Sequence, residues 1–447
     1  LSGEERGDAY ESIAESWAIS DYAAADKWIN SLSGEEVQIA LASARYKLGD
    51  FPGTIKLLSQ VQESNSRGVY SERIRRHLAL AYESNGEKES ALELYEKILA
   101  DWPSAAYSDS MRLSRARLLQ QLGHSDNAIA QFEELLDSKN VVISNIAAKA
   151  AGDLHFLKER YDRALKNYTA TATQNETSMD GRQAICLFRM GRIDDAKRTT
   201  DVVLNRVQDN NPWNWILAIE NGRHFLRTHQ YEKALKMFRR VEKQGQKSES
   251  AAMEDTLPEK ELIQIANDPK TAGSYYVATA LWEQNLQEPT EERTARALDA
   301  QINFAKNHGH SLFGAAVHLK LGHYYQGVIN QLLPAAGAFR HVIDGNGSIN
   351  QKHEAFWFLL QCYKNLSEWD ESYRIARRLL AEYPNHPKAH LVHLEIGYIL
   401  KQRGQYSQAI KYLESVLEWA QGDIAAQARY YIGESFQQMG QYRDAIE

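Results

Sequence analysis

A chain of 447 residues is too long for one compact core, so two or more domains or an extended array is expected. Hydrophobic content of 43% with 25% charged residues excludes a disordered chain, and 9 prolines against 23 tyrosines and 9 tryptophans points to long helices with large side chains to pack. The net charge of −7, with basic residues spread along the chain, argues against nucleic-acid binding, and no apolar run approaches the ~20 residues of a membrane-spanning helix.

From the N-terminus onward one pattern recurs: a turn, a small residue, then an aromatic or apolar residue four further on. It reads "GEKESALELY" (Gly86–Tyr95), "GHSDNAIAQF" (Gly123–Phe132), "ERYDRALKNY" (Glu159–Tyr168), "HQYEKALKMF" (His229–Phe238), "GQYSQAIKYL" (Gly404–Leu413) and finally "GQYRDAI" (Gly440–Ile446). The small residue falls at Ala24, Thr54, Ala91, Ala128, Ala164, Ala196, Ala234, Ala300, Ala335, Ser372, Ala409 and Ala445. Successive intervals are 30, 37, 37, 36, 32, 38, 66, 35, 37, 37 and 36, one of them doubled, which identifies an internal repeat.

A second helical pattern precedes each marker, as in "RRHLALAYESNG" (Arg75–Gly86) and "LEIGYILKQRG" (Leu394–Gly404). Small residues such as Ala79, Ala116, Gly152, Gly222, Gly397 and Gly433 stand twelve before the marker, where they let two antiparallel helices approach closely. One such pair cannot bury its apolar face alone, so pairs must stack. "DWPS" (Asp101–Ser104) and "EYPNHP" (Glu382–Pro387) mark joints between units, because proline stops a helix.

The doubled interval contains a polar stretch, Lys243–Ser274, interrupted by Pro258 and Pro269. The expected organisation is therefore a first array over 1–242, an irregular insertion or degenerate helices over 243–274, and a second array over 275–447 cut short in its last repeat. The closing "YYIGESFQQMGQYRDAIE" stops two residues past Ala445, and together with the start at Leu1 it suggests a segment of a longer array. Any targeting sequence would then lie outside it.

These repeats resemble the tetratricopeptide repeat family, whose helix-turn-helix unit is ~34 residues long. The resemblance covers nearly the whole chain. It implies an all-α, right-handed superhelical α-solenoid of about twelve antiparallel helix pairs, with first helices lining an inner groove that binds proteins or peptides. In the family's phase the groove candidates are Arg73, Arg76 and Glu83; Arg117 and Gln121; Lys149 and Asp153; Arg223 and Arg227; Trp357 and Gln361; Tyr398 and Gln402; Tyr430 and Glu434. As a set they suggest a basic middle and an aromatic, polar C-terminal stretch. The lysine–asparagine clamp for C-terminal carboxylates is not evident at the equivalent positions.

Chemistry-bearing motifs are absent: no phosphate loop, nucleophile elbow, His–Glu zinc motif or cysteine pair occurs, so neither catalysis nor a cofactor is expected. His308, His310, His318, His323 and His341 cluster in sequence, but His318 and His323 are five apart, not the four that would align two ligands on one helix face, which disfavours metal binding. Cys186 and Cys362 read as small buried residues. The expected function is a non-catalytic scaffold that binds partner proteins within a larger assembly. The stretch Ala428–Glu447 looks like C-terminal repeats of periplasmic proteins that coordinate the Tol-Pal system and outer-membrane assembly, which places the expected setting in a bacterial cell envelope. The alternatives are a cytoplasmic location, the recognition arm of a longer enzyme such as a glycosyltransferase, or a eukaryotic trafficking or ciliary adaptor.

Overall fold

The computed structural model describes residues 35–64, 70–170, 177–207, 211–246 and 257–446, with a few helical positions between 9 and 27. The marker position Ala24 lies outside the described residues. Among the described residues there are twenty-two α-helices, one 3-10 turn (Leu135–Asp137) and no strand. The chain divides into two compact units, Leu1–Arg206 and Val207–Glu447. Each is a solenoid of stacked antiparallel helix pairs.

The first unit contains α1 (Glu35–Lys47), α2 (Phe51–Ser64), α3 (Ser71–Asn85), α4 (Lys88–Asp101), α5 (Ser108–Gln121), α6 (Ser125–Glu134), α7 (Val141–Leu157), α8 (Tyr161–Thr169), α9 (Thr177–Arg189) and α10 (Ile193–Leu204). They form five hairpins, odd-numbered helix first. The second unit contains α11 (Pro212–Arg227), α12 (Tyr231–Gln244), the short α13 (Lys260–Asn267), α14 (Pro269–Gln287), α15 (Glu291–His308), α16 (Gly314–Gly327), α17 (Leu332–Asp344), α18 (Ile349–Asn365), α19 (Trp369–Glu382), α20 (Ala389–Gln402), α21 (Tyr406–Leu417) and α22 (Gly422–Gln438). Here the hairpins are α11/α12, α14/α15, α16/α17, α18/α19 and α20/α21. The stretch expected to be irregular, 243–274, lies inside this unit: 247–256 are outside the described residues, and α13 and the start of α14 occupy 260–274.

One turn joins nearly every pair. Five residues before the marker the backbone enters the left-handed region, with φ between 53° and 83°, at Gly49, Gly86, Gly123, Glu159, Gly191, His229, Asn330, Ser367, Gly404 and Gly440. The following N–H then reaches back five residues, as Glu87 N to Tyr82 O (2.9 Å) and Gln230 N to Phe225 O (2.8 Å). This closes the first helix and reverses the chain. The marker becomes the fourth residue of the second helix, and Thr54, Ala91, Ala128, Ala164, Ala196, Ala234, Ala335, Ser372 and Ala409 are all fully buried.

The helices approach closely where the first carries a small residue and the second a large one. A Cβ placed on Gly152 would come 2.4 Å from the Tyr168 ring, on Gly322 2.5 Å from Phe339, and on Gly397 2.2 Å from Leu413. The large residue stands four past the marker in each case. Ala79 and Tyr95, and Ala116 and Phe132, occupy the same two positions, and all four are fully buried. Pair after pair thus buries its apolar face against its neighbours, in successive hydrophobic clusters along each unit.

The pair α14/α15 departs from this plan and corrects the expectation for Ala300, which is only half-buried. The buried small residue of α15 is Ala297. Gln301, also fully buried, donates from Nε2 to the Ala278 carbonyl at 2.9 Å. The reason lies in the connection. Glu288 and Thr290 have φ of −137° and −135°, no left-handed residue follows α14, and the Thr290 side chain caps α15 by accepting from Arg293 N (3.2 Å). A different turn gives the helices a different register.

Candidate functional site

In the first unit the sequence-selected polar residues fall into two groups. Arg117 and Gln121 are exposed on α5. The others bind their own neighbours. The Arg76 guanidinium lies 4.9 Å from the Tyr107 ring centroid. Glu83 accepts from the Tyr95 hydroxyl at 2.5 Å, and burial with this carboxylate pushes that phenol far up. Arg73 and Arg76 face His77, whose imidazole is held down to about 4, first by burial and then by these two cations.

Asp153 is the centre of a buried network. It accepts from Tyr168 Oη (2.7 Å) and Arg182 Nε (3.1 Å), and Lys149 Nζ stands 3.6 Å away. Arg182 is 1% exposed and also donates to the Ser178 carbonyl (3.2 Å). Sequence reading passed over Arg182 because a cation in mid-helix ordinarily belongs to a solvated face. The available signal was its place on α9, the first helix of the hairpin that follows the one carrying Asp153.

In the second unit Arg223 sits between Glu220 (3.2 Å) and Glu261 (3.3 Å) and over the Tyr276 ring (5.7 Å). The Tyr276 hydroxyl donates to Glu261, so this carboxylate on α13 ties α11 to α14. The charges expected to make the middle of the groove basic are therefore compensated at Arg223 and Lys149, while Arg227 is exposed.

The C-terminal candidates lie on three successive first helices, α18, α20 and α22. Trp357 is half-buried with Lys388 Nζ 4.4 Å from its ring centroid. Tyr398 is flanked by Lys364 (5.3 Å) and Lys401 (5.0 Å), and Lys401 also reaches the Tyr431 ring (5.0 Å). Each lysine pairs with a carboxylate one first helix onward: Lys364 with Glu395 and Lys401 with Glu434, both 2.5 Å. His323 and Glu354 (2.8 Å) make the same link between α16 and α18. Tyr430, 63% exposed, donates to Glu434 at 3.1 Å. Gln402 is exposed, and Gln361 is half-buried with a buried Nε2 that has no hydrogen-bond partner.

Cation and ring hold each other in place at Trp357 and Tyr398, a hydrogen bond to Glu434 orients the more exposed Tyr430, and the three lie along one row of first helices. Lys364, Lys388, Lys401 and Glu395 were missed from sequence. The signal was present: Lys364 and Lys401 each follow a selected residue by three and lie 37 apart, one repeat length.

Elsewhere His318 stacks on His341 (4.6 Å), and burial, then His341 and His310, hold it down to about 4. His308 Nδ1 meets Thr271 Oγ1 at 3.1 Å. Among the described residues no group of three or more His, Cys, Asp or Glu is placed to hold a metal ion, and no helix is long and apolar enough to cross a membrane. Cys186 and Cys362 are buried, and burial pushes the Cys362 thiol up to about 11.

Helix pairs with this turn and this packing define a helical-hairpin repeat protein. Models of the tetratricopeptide repeat match residues 39–106, 113–178 and 392–423, so the chain carries tetratricopeptide repeats in both units. Solved structures similar to it include a tetratricopeptide repeat protein from Parabacteroides merdae (15% identity, 59% of this chain and 97% of that one, TM-score 0.38). A human IFIT1 dimer with PPP-AAAA (14%, 92% and 88%, TM-score 0.34) and Naa15/Naa10 bound to HypK-THB (12%, 91% and 66%, TM-score 0.37) are also similar. No curated protein matches the chain.

Proposed function

We propose that the protein is a non-catalytic scaffold that holds a partner protein or peptide along the first helices α18, α20 and α22. The observation that carries this reading is the row formed by Trp357, Tyr398 and Tyr430, held by Lys388, Lys364, Lys401 and Glu434. Half-exposed aromatics with little freedom to lose are the side chains that anchor protein interfaces. Cations already paired one helix onward keep the row from collapsing.

We further propose a bacterial cell-envelope assembly as the setting, a reading supported by the resemblance of Ala428–Glu447 to repeats of periplasmic scaffolds. Crosslinking in cells followed by affinity capture tests both parts. Envelope proteins captured through a crosslinker at Gln402, and lost in a Trp357→Ala/Tyr398→Ala variant, support the reading. Cytosolic fractionation with no envelope partner overturns the setting, and capture indifferent to the two aromatics overturns the site.

A further inference from the structure

A second surface lies on α12, the second helix of its hairpin and thus outside the row of first helices. Its core side is Ala234, Leu235, Phe238 and Val241, all buried. Helical spacing then turns Lys236, Arg239, Arg240 and Lys243 to the other side, where they line an open cleft of ≈470 Å³ with Glu232 and Gln244. Lys236, Arg240 and Lys243 are exposed and Arg239 is half-buried. None of the four is ion-paired among the described residues, whereas most of the other described arginines have a carboxylate partner. In a chain of net charge −7, four uncompensated cations within eight residues are a local reversal of sign.

We propose that this face of α12 docks an acidic helix of a partner protein, independently of the groove on α18–α22. The cations recur over two turns, about 10 Å of helix axis, and the i, i+4, i+7 spacing of Lys236, Arg240 and Lys243 matches carboxylates at the same spacing on an opposing helix. A nucleic acid would call for a longer basic stripe, and here Glu232 and the Ser274-bonded Glu242 stand near either end of the patch. Charge of this kind steers encounter and selects partners more than it adds affinity, so the contact is salt-sensitive.

The test uses the full chain and a fluorescein-labelled helical peptide with glutamates at i, i+4 and i+7, read by anisotropy at low and physiological salt. Binding is expected for the wild type, absent for the Glu→Gln peptide, and weakened about ten-fold or more by Lys236→Glu/Arg240→Glu/Lys243→Glu. The corresponding Lys/Arg→Gln triple variant gives an intermediate loss, and Tyr398→Ala leaves binding unchanged. Unchanged helicity by circular dichroism shows that the exposed substitutions leave the fold intact. The proposal is overturned if the peptide does not bind, if the reversed-charge variant binds it equally well, or if a single-stranded oligonucleotide binds this face and the peptide does not.

Discussion

Gly222 lies directly beneath the ring of Phe238, and a Cβ on that glycine would come 2.3 Å from Phe238 Cε1. The ring is fully buried and cannot retreat. Gly222→Ala should therefore lower stability by about 1–3 kcal/mol, the usual range for overpacking a closed contact. Gly337, inside α17 with nothing within 4 Å of its would-be Cβ, is the control: Gly337→Ala should stabilise by about 0.5–1 kcal/mol through helix propensity. Urea midpoints of the two variants check both signs.

The turns make a second pair of opposite expectations. His229 and Ser367 hold φ of 56° and 59°, a conformation costly for residues with a Cβ, whereas Gly86 adopts φ of 83° at the equivalent turn. His229→Gly and Ser367→Gly should each raise stability by several tenths to about 1 kcal/mol, and Gly86→Ala should lower it by about 1 kcal/mol. Thermal unfolding of the three variants measures this.

These turns also show where the sequence was readable. The repeat could be found because its small residues are required by close helix contact: Gly152 under Tyr168 and Gly397 under Leu413 allow nothing larger. The left-handed turn was legible at Gly86 and Gly404 and hidden at Glu159 and His229, where the backbone adopts it without glycine's help. Ala300 kept the period yet misled, because the period records spacing while the Thr290 cap sets the register of α15. In the candidate site, Trp357, Tyr398 and Tyr430 followed from the family's phase. Glu83 and Asp153 shared that phase but are committed to Tyr95 and to Tyr168 with Arg182, partners that depend on cross-helix geometry.

The Asp153 network predicts an asymmetry. Asp153→Ala leaves the guanidinium of Arg182 buried without its counter-ion and should cost about 3–5 kcal/mol. Arg182→Met removes the buried charge, leaves Asp153 with Tyr168 and Lys149, and should cost clearly less. Chemical denaturation of the two single variants decides it, and equal losses would contradict the network's assigned roles.

His77 predicts a pH dependence. It is held at about 4 against 6.5, so between these values the unfolded chain binds the extra proton and the folded chain does not. Its contribution is complete above about pH 6.5 and is lost as the pH falls toward 4, on the order of 1–3 kcal/mol in all. His77 Nδ1 meets Ser43 Oγ at 3.2 Å, so a conservative His77→Gln variant should flatten this part of the profile. Unfolding midpoints of wild type and variant at pH 7.0, 5.5 and 4.5 show whether the difference narrows as predicted.

The central claim is that the aromatic row on α18, α20 and α22 is the partner-binding surface. Its most direct test is site-specific photocrosslinking in cells, with the reactive residue placed in turn at Gln402 on α20, one helical turn from Tyr398, and at Ala381 on α19, an exposed position outside the row. A discrete adduct is expected from position 402, none from position 381, and loss of the adduct when Trp357→Ala is added. Equal adducts from both positions, or an adduct at 402 that survives loss of Trp357, would contradict it.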